Sequence, residues 1–178
     1  MAALPTVGAS SGTWGTELNA WLLVGHNADG TTSGGSGTGS EIGYDQITTA
    51  VDVASTTQAT GTTIISCAAH TFDGSPVICE FFSERVITGS DSQRFVVVSL
   101  FEGATQITQL AYIRNQAAAN GSSAHVCTYA KYRFTPTAGS HTYTITAYAD
   151  NLTGTPSIQA GAGGSATQAP AFVRFTKV

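Results

Sequence analysis

Side chains able to do covalent chemistry are few and scattered among the 178 residues. The run Gly8-Ala-Ser10-Ser-Gly12 matches G-x-S-x-G, a pattern that raises a nucleophilic serine on a sharp strand-to-helix turn. That turn needs an apolar strand ahead of the serine, and residues 1–7 do not form one. Low-complexity Gly/Ser sequence produces the same spacing by chance. The four histidines, His26, His70, His125 and His141, lie far apart, and none sits beside an acidic pair at a spacing useful for proton transfer. His141 opens a strand on the same face as Tyr143, which suits a turn or core histidine. Glu80 and Glu84 are a carboxylate pair that could share one face of a strand, as glycosidase carboxylates do. Four strand residues span about 13 Å, wider than either glycosidase separation, and Arg85 beside Glu84 points to solvated ion pairing. No catalytic residues are assigned, and a polysaccharide hydrolase is kept only as a remote alternative.

Metal and redox chemistry find no better footing. Cys67, Cys79 and Cys127 match no zinc spacing and have no histidine cluster with them. Cys67 and Cys79 are symmetric about Asp73. If Asp73-Gly74 makes a hairpin turn, the two thiols face each other, and either a disulfide or a pair of buried reduced thiols results; small free cysteines pack well in cores. No metal site or cofactor motif is assigned. Asn120-Gly-Ser and Asn151-Leu-Thr are formal glycosylation sequons, but no secretion signal accompanies them. No apolar run approaches the roughly 18 residues of a membrane span, so no membrane insertion is expected.

Charge is sparse and uneven. Only 10% of residues are charged, and the net charge is −4. Residues 1–84 hold eight acidic side chains and no Lys or Arg, while all seven basic residues fall in 85–178. That basic excess is spread over many strands, too dilute for a nucleic-acid site. Eight Phe, six Tyr and two Trp provide the bulk of a packed core, which a disordered chain lacks.

The elements that must carry these residues divide the chain in three. In residues 1–30, Trp14, Leu18, Trp21 and Leu22 recur at one-face helical spacing, with Thr13 as N-cap and Gly25 and Asn27 as terminators. A helix of about three turns is not stable alone in water, so it must dock on a partner or on its own domain. Residues 31–44 are a Gly/Ser-rich flexible linker. Residues 45–178 read as strands near 46–53, 61–69, 76–87, 93–102, 106–114, 124–134, 140–149, 155–160 and 170–178. They are rich in Val, Ile, Thr, Phe and Tyr, and Gly, Pro, Asn and Asp punctuate the gaps. The expected fold is all-β: an antiparallel jelly-roll sandwich of eight or nine strands behind a short helix and linker.

Two strands are apolar on both faces. Phe95, Val97 and Phe101 point one way, and Val96, Val98 and Leu100 the other; Ile78 and Phe82 similarly oppose Val77 and Phe81. Antiparallel sandwich strands normally keep one wet face. The second face must therefore be covered by another subunit or by the N-terminal segment. Ile78, Phe82, Val96, Val98 and Leu100 are the expected oligomer interface. Tyr112, Tyr129, Tyr132 and Tyr148 are candidate glycan contacts if the chain is instead a carbohydrate-binding module.

Two stretches carry a family resemblance. Leu4-Pro-Thr-Val-Gly8, Gly12-Thr-Trp-Gly15, Leu18-Asn19, Leu22-Leu-Val and His26-Asn-Ala-Asp-Gly-Thr31 together resemble the N-terminal segment of many tailed-bacteriophage structural proteins, tail fibres and minor tail proteins among them. Val96-Val-Val-Ser-Leu-Phe-Glu-Gly103, Arg133-Phe-Thr-Pro-Thr-Ala-Gly-Ser-His-Thr-Tyr143 and Pro170-Ala-Phe-Val-Arg-Phe-Thr-Lys-Val178 are similar to phage jelly-roll heads of the tumour-necrosis-factor and C1q-like kind. The resemblance implies a non-enzymatic virion protein made in the host cytoplasm, usually trimeric. Its N-terminus, through Leu4, Val7, Trp14, Leu18, Trp21 and Leu22, would anchor on tail or capsid proteins, and its head would be displayed outward; a host surface glycan is the partner of the carbohydrate-binding alternative. Many such fibres carry a long shaft. Here only the short linker intervenes, which favours a compact knob.

Overall fold

The computed structural model of the protein describes residues 40–90, 93–116, 122–165 and 167–178. The expected N-terminal helix, the anchoring residues Leu4, Val7, Trp14, Leu18, Trp21 and Leu22, most of the linker and the Asn120 sequon lie outside the described residues. Residues 41–178 form one body, with ten strands among the described residues: β1 (Glu41–Ile47), β2 (Val51–Asp52), β3 (Thr62–Asp73), β4 (Val77–Ile87), β5 (Phe95–Glu102), β6 (Thr105–Arg114), β7 (His125–Phe134), β8 (Ala138–Ala149), β9 (Ser157–Gln159) and β10 (Ala171–Lys177). A 3-10 turn, Gln58–Thr60, precedes β3.

Every strand pair is antiparallel. One sheet runs β3-β8-β5-β6. In the other, β4 is central. β7 pairs along one edge from Val77 to Ile87, and the opposite edge takes β10 against Val77–Phe82 and β9 against Arg85–Ile87. β1 lies outside β10 and β2 outside β9. The two orders, β1-β10-β4-β7 and β3-β8-β5-β6, with the chain repeatedly crossing between them, make the jelly-roll sandwich that the strand pattern predicts.

Alternation places the core. On β8, Tyr143, Ile145, Ala147 and Ala149 are buried, while Thr142, Thr144 and Thr146 turn outward. On β10, Ala171, Val173 and Phe175 are likewise buried. Across the sandwich, Phe72 of β3 meets Phe175 edge-on at 5.8 Å, and Tyr143 lies 5.1 Å from the same ring. Phe134 of β7 adds an edge contact to Tyr143 at 5.5 Å. Each such ring contributes roughly 1.5–3 kcal/mol by burial, and edge-to-face geometry adds to this.

Several expectations need correction. The first strand starts at Glu41, inside the expected linker, because β10 offers it an open edge, and a bend at 48–50 separates β1 from β2. Cys67 and Cys79 are not hairpin partners. The Asp73–Pro76 connection carries the chain from one sheet to the other, so the two buried thiols approach from opposite sheets and are not bridged. Val96, Val98 and Leu100, expected at an oligomer interface, are fully buried in the core shared by the two sheets. The outward side of β5 is covered within the chain as well. Tyr112 and Tyr148 flank Val97 from the neighbouring strands, and Gln106 caps Ser99 with a 3.2 Å hydrogen bond. Val97 and Ser99 are each only 1% exposed as a result. Side chains from adjacent strands do the covering that a second subunit was expected to supply.

Candidate functional site

The outward face of the β1-β10-β4-β7 sheet is built in rows set by strand register. The first row is aromatic. Phe82 of β4 pairs with Phe172 of β10 on one side and with Tyr129 of β7 on the other. The Phe82 and Phe172 rings stack at 5.4 Å, and Tyr44 of β1 stacks on Phe172 at 5.3 Å. A belt of four rings thus crosses all four strands. Tyr44 and Tyr129 are about half exposed, at 42% and 53%. Ile78 extends the apolar surface along β4.

The second row is charged, and sequence reasoning did not find it. Glu80 of β4 stands between Arg174 of β10 and Lys131 of β7, each its register partner. Arg174 Nε donates to Glu80 Oε2 at 2.6 Å, Lys131 Nζ lies 2.7 Å from Oε1, and the Tyr129 hydroxyl donates to Oε1 at 2.5 Å. Glu80 is only 4% exposed although it points away from the core. Burial works against its charge. The hydrogen bonds from Lys131, Tyr129 and Arg174 outweigh that penalty and hold the carboxyl at about 2. Lys131 also sits 5.2 Å from the centre of the Tyr129 ring, a cation–π contact. The one available signal was a lone Glu alternating with Ile78 and Phe82; its partners are about 50 and 94 residues away and cannot be found without register.

Of the expected interface residues, Ile78 and Phe82 share this face; Val96, Val98 and Leu100 do not reach it. The four candidate glycan tyrosines do not form one site. Tyr112 and Tyr148 gather around Phe95 on the outward face of the other sheet, where Phe95 stacks on Tyr112 at 5.0 Å and meets Tyr148 edge-on at 6.2 Å. Tyr129 belongs to the aromatic belt. Tyr132, opposite Cys79 on the edge strand β7, stacks on Phe134 and stays 37% exposed at the sandwich margin, away from the belt.

The candidates for chemistry are engaged elsewhere. His141 Nδ1 is 2.5 Å from a Glu102 carboxylate oxygen, and its Nε2 is 3.0 Å from the Thr137 carbonyl. The Glu102 hydrogen bond raises the His141 pKa. His70 Nε2 is 2.6 Å from Asp45, which also accepts the Ala68 amide at 2.9 Å. Through these bonds Asp45 joins β1 to β3 of the facing sheet. Gly43 is needed there, because a Cβ at that position would lie 2.5 Å from the His70 ring. Glu84 accepts the Ala169 amide at 2.7 Å, and its neighbour Arg85 lies against the Gln168 amide; both stand where β4 shifts register against β7 between Ser83 and Val86, and the 168–169 segment engages each of them in place of the expected Glu84–Arg85 pair. Burial, with Asp45 nearby, pushes the Cys67 thiol up to about 12, and burial raises Cys79 further. Among the described residues no group of three or more His, Cys, Asp or Glu could hold a metal ion. None of their helices is long and apolar enough to cross a membrane.

No protein-family model matches the chain, and no curated protein matches it.

Proposed function

We propose that the chain is a non-enzymatic structural protein of a tailed-phage virion, a jelly-roll knob that assembles with copies of itself, as a trimer, and is held on tail or capsid by residues 1–30. The observation that carries the assembly is the aromatic belt Tyr44–Phe172–Phe82–Tyr129. Stacking already shields part of Phe82 and Phe172, but Tyr44 and Tyr129 stay about half exposed, and a surface laid over the belt would remove the remaining apolar area from water, at most roughly 1.5–3 kcal/mol per ring. The row beside the belt has its central carboxylate already neutralised by Arg174 and Lys131. A partner covering this face therefore meets no unpaired buried charge at Glu80, the usual cost of such a contact. Virion location and the anchoring role rest on the resemblance of residues 4–31 and 94–178 to phage proteins.

Light scattering on the full chain tests the assembly. Three times the 18.2 kDa chain mass is expected at micromolar concentration, falling to one chain in a Phe82→Glu, Phe172→Glu double variant that keeps its β-sheet circular dichroism. A wild-type protein that stays at one chain mass overturns self-assembly. Anchoring is tested by particle incorporation: deletion of residues 1–30 should leave the head folded and absent from virions, and continued incorporation refutes the anchor.

A further inference from the structure

The outward face of the β3-β8-β5-β6 sheet holds a cleft that self-assembly leaves unused. Its volume is about 540 Å³, and it lies where the Gln58–Thr60 turn approaches β3, β5 and β8. Phe101 forms one wall. Thr63, Thr144, Thr146 and Gln58 also line it, which gives the cleft hydroxyl- and amide-bearing side chains. No charged side chain lines it.

These groups are fixed in place. Thr146 and Thr144 are the register partners of Ser99 and Phe101 on the β8–β5 ladder. The Gln58 amide donates to Gln106, whose own amide donates to Ser99, a residue 1% exposed. The side chain of this lining residue, Gln58, is therefore held by a second and a third side chain before any ligand arrives, which lowers the ordering cost of binding. Glycine at Gly61 keeps the rim open: a Cβ there would stand 3.1 Å from the Thr146 hydroxyl. Among the described residues, the hydroxyls of Thr63, Thr144 and Thr146 have no hydrogen-bond partner, so they remain available to a ligand.

The lining selects a chemical class. Neutral hydroxyls and an amide both donate and accept, matching a ligand dense in hydroxyl groups. Phe101 offers an apolar ring to the C–H face of such a ligand. An anion would find no Arg or Lys to pair with. A lipid chain would leave the threonine hydroxyls and the amide buried without partners. On the same face, Val97 lies four residues back along β5, about 13 Å from Phe101, flanked by Tyr112 and Tyr148 with Phe95 beside them. We propose that this cleft binds one unit of a neutral saccharide chain, which then runs along β5 toward the Phe95, Tyr112 and Tyr148 rings.

The cleft and the self-contact belong to opposite sheets, so either reading can fail alone. The test uses the full-length protein, with maltohexaose, cellohexaose, chitohexaose and mannohexaose as neutral probes and a sialylated oligosaccharide as the acidic control. At least one neutral probe should bind at millimolar concentration or tighter. A Thr144→Val, Thr146→Val variant keeps strand propensity and should lose at least ten-fold in affinity with its oligomeric mass unchanged. If that variant does not fold, titration of wild-type protein followed by amide NMR should shift Gly61, Gly103, Thr144 and Thr146. Absence of neutral-sugar binding, preference for the acidic control, unchanged affinity in the threonine variant, or shifts confined to other regions each overturn the proposal. So does a loss of binding produced by Tyr112→Ala but not by the threonine changes.

Discussion

Glu80 and Arg174 face each other across the β4–β10 ladder, a carboxylate and a guanidinium joined at 2.6 Å on the outside of a sandwich, yet with the carboxylate almost wholly removed from water. A charge so placed depends on its partners. Because their hydrogen bonds hold it at about 2, its contribution to stability is present above the ordinary glutamate value near 4.5 and disappears as pH falls through about 2.

Replacing Glu80 by Gln should therefore destabilise the fold by about 2 kcal/mol at pH 7. The gap between wild type and variant should narrow as pH is lowered from about 4.5 toward 2. Urea unfolding at pH 7 and at pH 3 measures both values. A gap that does not change with pH would mean that the carboxylate is not held ionised by its neighbours.

His141 has the opposite sign. Its pKa is raised by the Glu102 hydrogen bond, so the stability it supplies is complete below the ordinary histidine value and is lost as pH climbs through its raised folded value. A His141→Gln variant should fall furthest behind wild type below the ordinary histidine value near 6.5, and the gap should close as pH rises through the raised folded value. Thermal melts across that range decide the matter.

The Tyr143 hydroxyl is buried in the aromatic core and, among the described residues, has no hydrogen-bond partner. Burial raises its pKa accordingly. Tyr143→Phe keeps the ring contacts to Phe72, Phe134 and Phe175 and removes the unpaired group, so stability should hold or rise by about 1 kcal/mol. A loss of more than 1 kcal/mol on chemical unfolding would show that the hydroxyl has a partner.

Cysteine reactivity should separate the three thiols. Cys127 is exposed, while Cys67 and Cys79 are buried with raised pKa values that suppress the reactive thiolate. Labelling of the native protein near pH 8 with an aromatic disulfide reagent should modify Cys127 alone, and unfolding in guanidinium should release the other two. Rapid native labelling of Cys67 would contradict its place in the core.

Strand positions were legible because β-branched and aromatic residues alternate between Gly, Pro, Asn and Asp breaks, and seven long strands, β3 to β8 and β10, fall close to where that alternation puts them. The errors arose wherever the answer depended on a neighbour distant in sequence. Two apolar faces on β5 look alike in the linear pattern whether Val97 is covered by a second subunit or by Tyr112 and Tyr148 from adjacent strands. Asp73-Gly74 has the composition of a hairpin turn, and only strand pairing shows that it passes between sheets. Glu80 looked like half of a carboxylate pair, because Arg174 and Lys131 become its neighbours only through register. The cleft walled by Phe101 was invisible for the same reason: it combines a 3-10 turn with three strands, and none of its residues is a recognisable chemical signature alone.

The Asp45 attachment to Ala68 and His70 bears on how the body resists mechanical load. The preceding chain enters at Glu41, so tension applied from that side first loosens the rungs between Glu41–Tyr44 and β10. Peeling then reaches Asp45, whose side chain is fastened to the facing sheet rather than to the adjacent strand. Rupture then has to break that cross-link to continue, so the first four residues of β1 are expected to give way before the sandwich opens.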